Sequence, residues 1–207
     1  MKLYYFPGGC SLAVNIALRE AGLPFDLIHV DLFKHTLDGG APLSSVNPKN
    51  YVPALSTVEG DLLTEVGAIL QWVGEHPHGR SLLPEPGTRE LCRARERLNF
   101  IATELHKGIS PWLFNDDTAE STRARVLAKL EIRLVHIEEH LARNRFILGE
   151  RFGVADAYLF TILNWAGSLK VDLSAYPSIR AYLDRVALRP HVRAAMASEG
   201  LAEAVAA

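Results

Sequence analysis

The chain has 207 residues, 48% of them hydrophobic and 22% charged, with a formal net charge of -2. That length buries a substantial core in one large or two modest domains. The even mixture of Lys and Arg with Asp and Glu offers no basic stripe for nucleic acid and no cationic amphipathic helix for a membrane surface. The two cysteines, Cys10 and Cys92, form no disulfide framework, and no apolar run is long enough for a signal peptide or a membrane span. A reducing cytoplasm and small-molecule partners are the expectation.

A strand is expected over 2–6, interrupted by Pro7-Gly8-Gly9, with a helix from Ser11 ended by Gly22 and Pro24. Cys10 therefore falls at a helix N-terminus. There, unpaired N–H groups and the positive end of the macrodipole stabilise a thiolate, the protein's own or a ligand's. A small residue packed into a turn is the other reading of the same cysteine. A strand over 26–32 completes a β-α-β unit. After a polar segment through Gly39-Gly40 come a strand over 53–57, a turn at 59–61, a short strand at 62–63 and a helix over 65–75. The order β-α-β, then β-β-α, with a right-handed crossover, specifies a mixed four-stranded sheet with helices on its faces, the thioredoxin-like α/β arrangement.

Two segments here suit a small ligand. Pro53 lacks an N–H and is tolerated at the head of a strand, which leaves the backbone of Val52 available to an extended ligand. Thr64-Glu65-Val66 opens the second helix with a carboxylate beside backbone N–H groups. That pairing holds both ends of an amino acid, or is simply an acidic helix start.

Proline and glycine between 76 and 87 punctuate the chain, dividing it into a first domain over 1–78, a linker over 79–87 and an all-helical domain over 88–207. Thr88 is the expected N-cap of a helix through Leu91, Leu98, Ile101, Ala102 and Leu105. Val126 to Leu141 mark a second helix, 155–169 and 179–188 two more, and Pro177 and Pro190 read as punctuation. The alanine-rich tail over 201–207 is either helical or frayed. On the first of these helices Glu96, Asn99, Thr103 and His106 follow i, i+3, i+7 and i+10, opposite the apolar stripe. They form either the polar wall of a cleft or a solvated face. His106 would supply a proton donor or acceptor near neutral pH.

Other chemistry-bearing residues rank lower. Cys10-Ser11-Leu12-Ala13 lacks the second cysteine of a dithiol motif but leaves monothiol exchange open. Tyr5 and Ser11 each carry a hydroxyl, Ser11 as a possible assistant to Cys10. His136-Ile137-Glu138-Glu139-His140 reads as a solvated helix face rather than a metal motif, and Cys92 as a packed or half-buried bystander. Trp112, Phe114 and Trp165 line an apolar pocket or fill a core or interface.

The segments MKLYYFPGGCSLA, VNPKNYVPAL, LLTE at 62–65, LNFIATELHKG at 98–108 and GERFGVADAYLFTIL at 149–163 together resemble the bacterial beta-class glutathione transferases. The resemblance covers essentially the whole chain. It implies a cytoplasmic, homodimeric detoxification enzyme with glutathione as cosubstrate and no metal, a glutathione site in the first domain and a hydrophobic acceptor site between the domains. On that pattern Cys10 lies by the glutathione sulfur, Val52 with Pro53 pairs with the peptide backbone, and Glu65 with Val66 holds the γ-glutamyl group. Asn99, Thr103, Glu104, Leu105 and His106 complete the site, some of them across the dimer interface, with Lys107 near the thiol.

Three positions depart from the pattern. His35 stands where many relatives carry lysine, with Lys34 one place earlier, which makes the contact to the glycyl carboxylate weaker or pH-dependent. Val66 replaces a small or hydroxyl residue, so a backbone contact survives and a hydroxyl contact does not. Gly153 replaces serine or threonine at a helix start, three residues before Asp156, and still serves as an N-cap. The implied activity is attack of the glutathione thiolate on small hydrophobic electrophiles, with thiol transfer through a Cys10 mixed disulfide. A glutathione-dependent isomerase, dehalogenase or peroxidase on the same scaffold, and a non-catalytic carrier of hydrophobic ligands, are the alternatives.

Overall fold

The computed structural model describes residues 1–79 and 81–201, so the tail after residue 201 and linker residue Arg80 lie outside the described residues. Strands β1 (Lys2–Tyr5), β2 (Asp26–Asp31), β3 (Thr36–Leu37), β4 (Ala54–Ser56) and β5 (Leu62–Thr64) form one sheet in the order β3-β2-β1-β4-β5. β1 runs parallel to β2, as a crossover through α1 allows, and antiparallel to β4, which pairs antiparallel with β5 as a hairpin.

The sheet has five strands rather than the expected four. The addition, β3, pairs only Leu37 with Val30 and Thr36 with Asp31, too short a run for period-2 patterning to reveal. It forms because the Asp31 carboxylate accepts the N–H groups of Phe33 and Lys34 at 2.9 and 3.0 Å, and His35 takes a left-handed conformation, φ 53°, that turns the chain back along β2.

Alternation along β1 sends Leu3 to one face and Tyr4 to the other, where Tyr4 packs with Val30, Leu43, Val52 and Ala54. Helix α1 (Ser11–Glu20) is buried along almost its whole length, packed against β1, α2 (Val66–Glu75) and the last helix of the chain.

The fold separates into two compact units, one of Met1–Leu83 with the described part of Leu188–Glu203, the other centred on Pro84–Ala187. Within the second unit lie α3 (Arg89–Phe100), a π-helical segment (Ile101–His106), α4 (Lys107–Leu113), α5 (Glu120–Leu141), α6 (Val154–Leu163), α7 (Ala166–Leu169) and α8 (Pro177–Ala187). Thr88 caps α3, its Oγ1 accepting the Leu91 N–H at 3.2 Å. The stretch 155–169, expected as one helix, is divided: Trp165 bonds back three residues to Ile162, tightening the chain, before α7 restarts.

Helix α9 (Pro190–Ser198) differs most from expectation. Pro190 reads in sequence as a stop but occupies the first helical turn, where its missing N–H costs nothing. The helix belongs to the first unit rather than the helical one, because Val192, Ala195 and Met196 are buried in α9, which packs against α1, and Arg189 grips Glu20 of α1 through two bonds of 2.7 Å. A three-residue apolar stripe specifies burial without specifying a partner.

The second unit is centred on α6, buried at every position. Gly153 has no side chain to cap it, so Asp156 supplies the cap alone. Its Oδ2 accepts the Gly153 N–H at 2.9 Å and its Oδ1 the Ile147 N–H at 2.8 Å, while Tyr182 donates its hydroxyl to Oδ1 at 3.2 Å. The His136–His140 run is more structural than a solvated face. Glu138 accepts the N–H groups of Ser178 and Ile179, both at 2.9 Å, at the start of α8, and His140 Nε2 lies 3.0 Å from the Ile147 carbonyl. No helix among the described residues is long and apolar enough to cross a membrane.

Candidate functional site

Cys10 occupies the N-cap position of α1, half-buried. The approach to it is set residue by residue. Gly8 takes φ 68°, open to glycine and strained for other residues, and the Gly9 N–H closes on the Phe6 carbonyl at 2.9 Å. Ser11, fully buried, turns its hydroxyl back on the same loop, accepting from the Phe6 N–H at 3.2 Å and donating to the Phe6 carbonyl at 3.3 Å. Ser11 therefore braces the loop that presents Cys10. The Cys10 thiol donates to the Val52 carbonyl at 3.5 Å, a contact only the protonated form makes.

Val52 and Pro53 are buried and joined by a cis peptide bond just before β4, with the Val52 carbonyl in contact with the Cys10 thiol. Glu65 precedes α2 with φ 70°, a left-handed conformation that costs a non-glycine residue about 1–3 kcal/mol. Its side chain does not cap its own helix. It projects outward, exposed, where it accepts from Lys49 Nζ at 3.2 Å and from the Tyr51 hydroxyl; Lys49 also donates to Thr64 Oγ1 at 2.9 Å. Hydrogen bonding to Glu65 raises the pKa of both Lys49 and Tyr51. Val66, buried, begins the first turn of α2. Lys49 and Tyr51, which hold the Glu65 carboxylate, are partners that residue-by-residue reading passes over, since they lie in a loop between strands. Their signal is the interleaved lysine and tyrosine of Asn47-Pro48-Lys49-Asn50-Tyr51 ahead of Val52-Pro53. His35 is exposed on the turn before β3, and its carbonyl accepts the Leu43 N–H at 2.8 Å.

The remaining candidates belong to the second unit and do not form the single polar stripe that α-helical spacing implies. Residues 101–106 form a π turn, which takes one more residue than an α turn and so retards everything after it by about 100°. Asn99 and Thr103 are exposed and bond back to their own helix, at Arg95 O (2.9 Å) and Asn99 O (3.0 Å). Glu104 is held by Arg133 Nη2 at 2.8 Å and Lys129 Nζ at 3.1 Å, and these cations keep its carboxyl below the ordinary range.

Past that turn His106 points into the protein, 5% exposed, its Nδ1 2.7 Å from the hydroxyl of buried Tyr158, with Trp165 edge-on at 5.3 Å between ring centres. Leu105 is buried and lines, with Ile109, Leu130, Leu134, Ile162 and Leu163, a cavity of about 30 Å³. Lys107 is exposed at the start of α4. Of the aromatics, Trp112 and Phe114 stand 46% and 50% exposed, and Phe114 meets Trp165 edge-on at 5.4 Å. Cys92 is exposed on α3 rather than packed.

The first unit thus groups a thiol at a helix start, a buried backbone turn and an exposed carboxylate at a second helix start. Those are the elements that engage a peptide with a thiol, an amide backbone and an amino-acid end. Comparison with known proteins agrees over nearly the whole chain. Residues 9–76 match the model described as Glutathione S-transferase, N-terminal domain, and residues 100–190 that described as Glutathione S-transferase, C-terminal domain. Glutathione S-transferase GstA of Escherichia coli O157:H7 is 46% identical, with 97% of this chain and 100% of that protein covered. A sphingomonad glutathione S-transferase solved in complex with glutathione superposes with a TM-score of 0.92 at 38% identity, covering 98% of this chain and 100% of that one. A bacterial beta class glutathione S-transferase of Sphingomonas chungbukensis does so at 0.92 and 39%, with the same coverage.

Proposed function

This chain belongs to the glutathione S-transferase family, in its bacterial beta class, and is a transferase with glutathione as cosubstrate; on that premise we propose that Cys10 is the residue through which it handles the glutathione sulfur. One observation carries the reading: the Cys10 thiol lies at the first turn of α1, 3.5 Å from the Val52 carbonyl. A sulfur anion placed there meets the α1 N–H groups, which favour negative charge. In conjugation the bound glutathione thiolate attacks the electrophile directly. In thiol transfer the Cys10 thiolate attacks one sulfur of a glutathione disulfide. The Cys10–glutathione bond forms as the old disulfide breaks, and the second glutathione leaves as a thiolate that water protonates.

The other residues follow the chemistry of the tripeptide. Glu65 receives the ammonium of the γ-glutamyl group, with the first turn of α2 at Val66 facing its carboxylate. The Val52-Pro53 backbone pairs with the peptide, and His35 meets the glycyl carboxylate. Asn99, Thr103, Glu104, Leu105, His106 and Lys107 are further glutathione residues, with His106 aligned by Tyr158 to orient or protonate a sulfur. The glutathione-binding domain is built on 1–78, to which the structure adds α9, and the helical domain follows the linker and runs to Ala187. The enzyme works in the cytoplasm as a homodimer, a reading supported by the exposed apolar side chains Ile132 and Val135 of α5, at 62% and 45%.

Calorimetric titration of the reduced protein with glutathione tests the site, and the expected result is saturable binding; no binding overturns the reading. Cys10→Ala is expected to lower disulfide exchange by at least about tenfold. Exchange and conjugation both at wild-type rates would remove Cys10 from the mechanism. Sedimentation gives the assembly state, a monomer counting against the dimer.

A further inference from the structure

Glu199 follows the last turn of α9 and is 5% exposed, an acid turned into the first unit rather than toward water. Its Oε2 accepts the Gly8 N–H at 3.0 Å, and its Oε1 accepts from Asn15 Nδ2 at 2.9 Å. Gly8 stands two residues before Cys10, and Asn15 is on α1, five residues after it. One carboxylate from the far end of the chain therefore holds both segments flanking the thiol.

We propose that Glu199 is a positioning residue for the thiol site: its ionised carboxylate pins the Gly8 turn, and through it Cys10, while protonation releases the turn. The proposal rests on the reading of Cys10 as the residue at the glutathione sulfur.

Both partners of the carboxylate are donors, so the ionised form satisfies each of them with one oxygen. Protonation removes the charge and leaves the protonated oxygen a weaker acceptor, so the bond to that oxygen loses its charge assistance and loosens. Asn15 is anchored on both ends, its Oδ1 accepting from Arg19 Nε at 2.8 Å and its Nδ2 also donating to Ser198 Oγ at 3.2 Å. Gly8, at φ 68°, has the widest backbone freedom of any residue and is the partner that moves.

The groups facing the carboxylate are Asn15 and Arg19 on α1, the Gly8 N–H on the loop, Ser198 of α9 through the shared Asn15 amide, and Tyr5 of β1. Burial pushes the Glu199 carboxyl up to about 7, against the opposing pull of Asn15, the Gly8 N–H and the Arg19 charge. The Tyr5 hydroxyl is raised by its own burial and by the charge of Glu199. The switch therefore lies in the range where a cytoplasmic enzyme works.

The experiment follows the Gly8 amide resonance of the nitrogen-15-labelled full-length protein from about pH 5 to about pH 9. It also measures Cys10 alkylation by iodoacetamide over the same range in a Cys92→Ser background, with and without Glu199→Gln. The Gly8 amide is expected to titrate with a midpoint near 7. The alkylation profile is expected to carry the same inflection above the thiol's own, and Glu199→Gln to abolish both. A flat Gly8 resonance, or an alkylation profile unchanged by Glu199→Gln, overturns the proposal. Should that variant fail to fold, the wild-type Gly8 titration decides alone. Glutathione calorimetry separates the two readings: lost binding with Gly8 titrating refutes the thiol-site assignment, and intact binding with a flat Gly8 refutes the switch.

Discussion

Glu65 combines a conformational cost with the role proposed for it at the γ-glutamyl end of glutathione. Its φ of 70° is a conformation that glycine adopts freely and other residues adopt under strain. Glu65→Ala and Glu65→Gly both delete the carboxylate, so their difference isolates the backbone. The glycine variant is expected to be the more stable by about 1 kcal/mol in urea unfolding, and both should bind glutathione more weakly by calorimetry. Equal stabilities would mean the backbone stores no strain. Asp156 is the opposite case, a fully buried acid whose role is structural. Asp156→Asn keeps one acceptor but turns an amide donor toward a backbone N–H. The expected loss is about 3 kcal/mol, read from the urea midpoint at constant slope. Neither residue advertises its role by type, although Asp156 three positions after Gly153 is a recognisable cap signal.

Among the elements, the π turn over Ile101–His106 departs furthest from the helical pattern, because it takes His106 off the Glu96–Asn99–Thr103 face and delivers it to Tyr158. Nothing in Ile-Ala-Thr-Glu-Leu-His announces a π turn. The nearby constraints are Pro111 inside α4 and the tight approach of Gly108, where an added Cβ would come 2.9 Å from the Thr103 carbonyl. Helix α8 depends on a cap from another helix. Burial pushes the Glu138 carboxyl upward, but the N–H groups of Ser178 and Ile179 outweigh it and leave its pKa below the ordinary value. Its stabilising contribution is thus present above the usual carboxylate range and lost as pH falls. Glu138→Ala is expected to cost about 1 kcal/mol at neutral pH, and less in acid, by urea unfolding. An equal cost at both pH values would show the cap to be independent of charge.

For the whole molecule, Glu199 runs against the usual acid-lability of carboxylates. Its folded pKa of about 7 exceeds the unfolded value of 4.5, so between those limits the native state holds the extra proton. Stability from this group is complete below pH 4.5 and is lost as pH rises through about 7, a fall of roughly 3 kcal/mol. Urea unfolding at about pH 5 and about pH 8 should show that decline, and Glu199→Gln should flatten it. A wild-type curve rising over that interval would contradict the burial of the acid. The same charge that costs stability above pH 7 is the one that pins Gly8, so stability and site order move in opposite directions there.

What the amino-acid order determined alone is whatever has a local signal: the β-α-β and β-β-α units from turn residues and apolar runs, Cys10 at the start of α1, Glu65 at the start of α2, and the Thr88 cap. Each depends on a few neighbouring residues whose backbone preferences agree. Tertiary structure decided the rest. A two-residue strand is too short to carry a period, and a π turn breaks the period from which it would be read. The partner of α9 and the target of Glu199 lie nearly the whole chain away, with Glu199 and Gly8 separated by 191 positions. Sequence patterning specifies that a surface is to be buried; only the folded chain specifies against what.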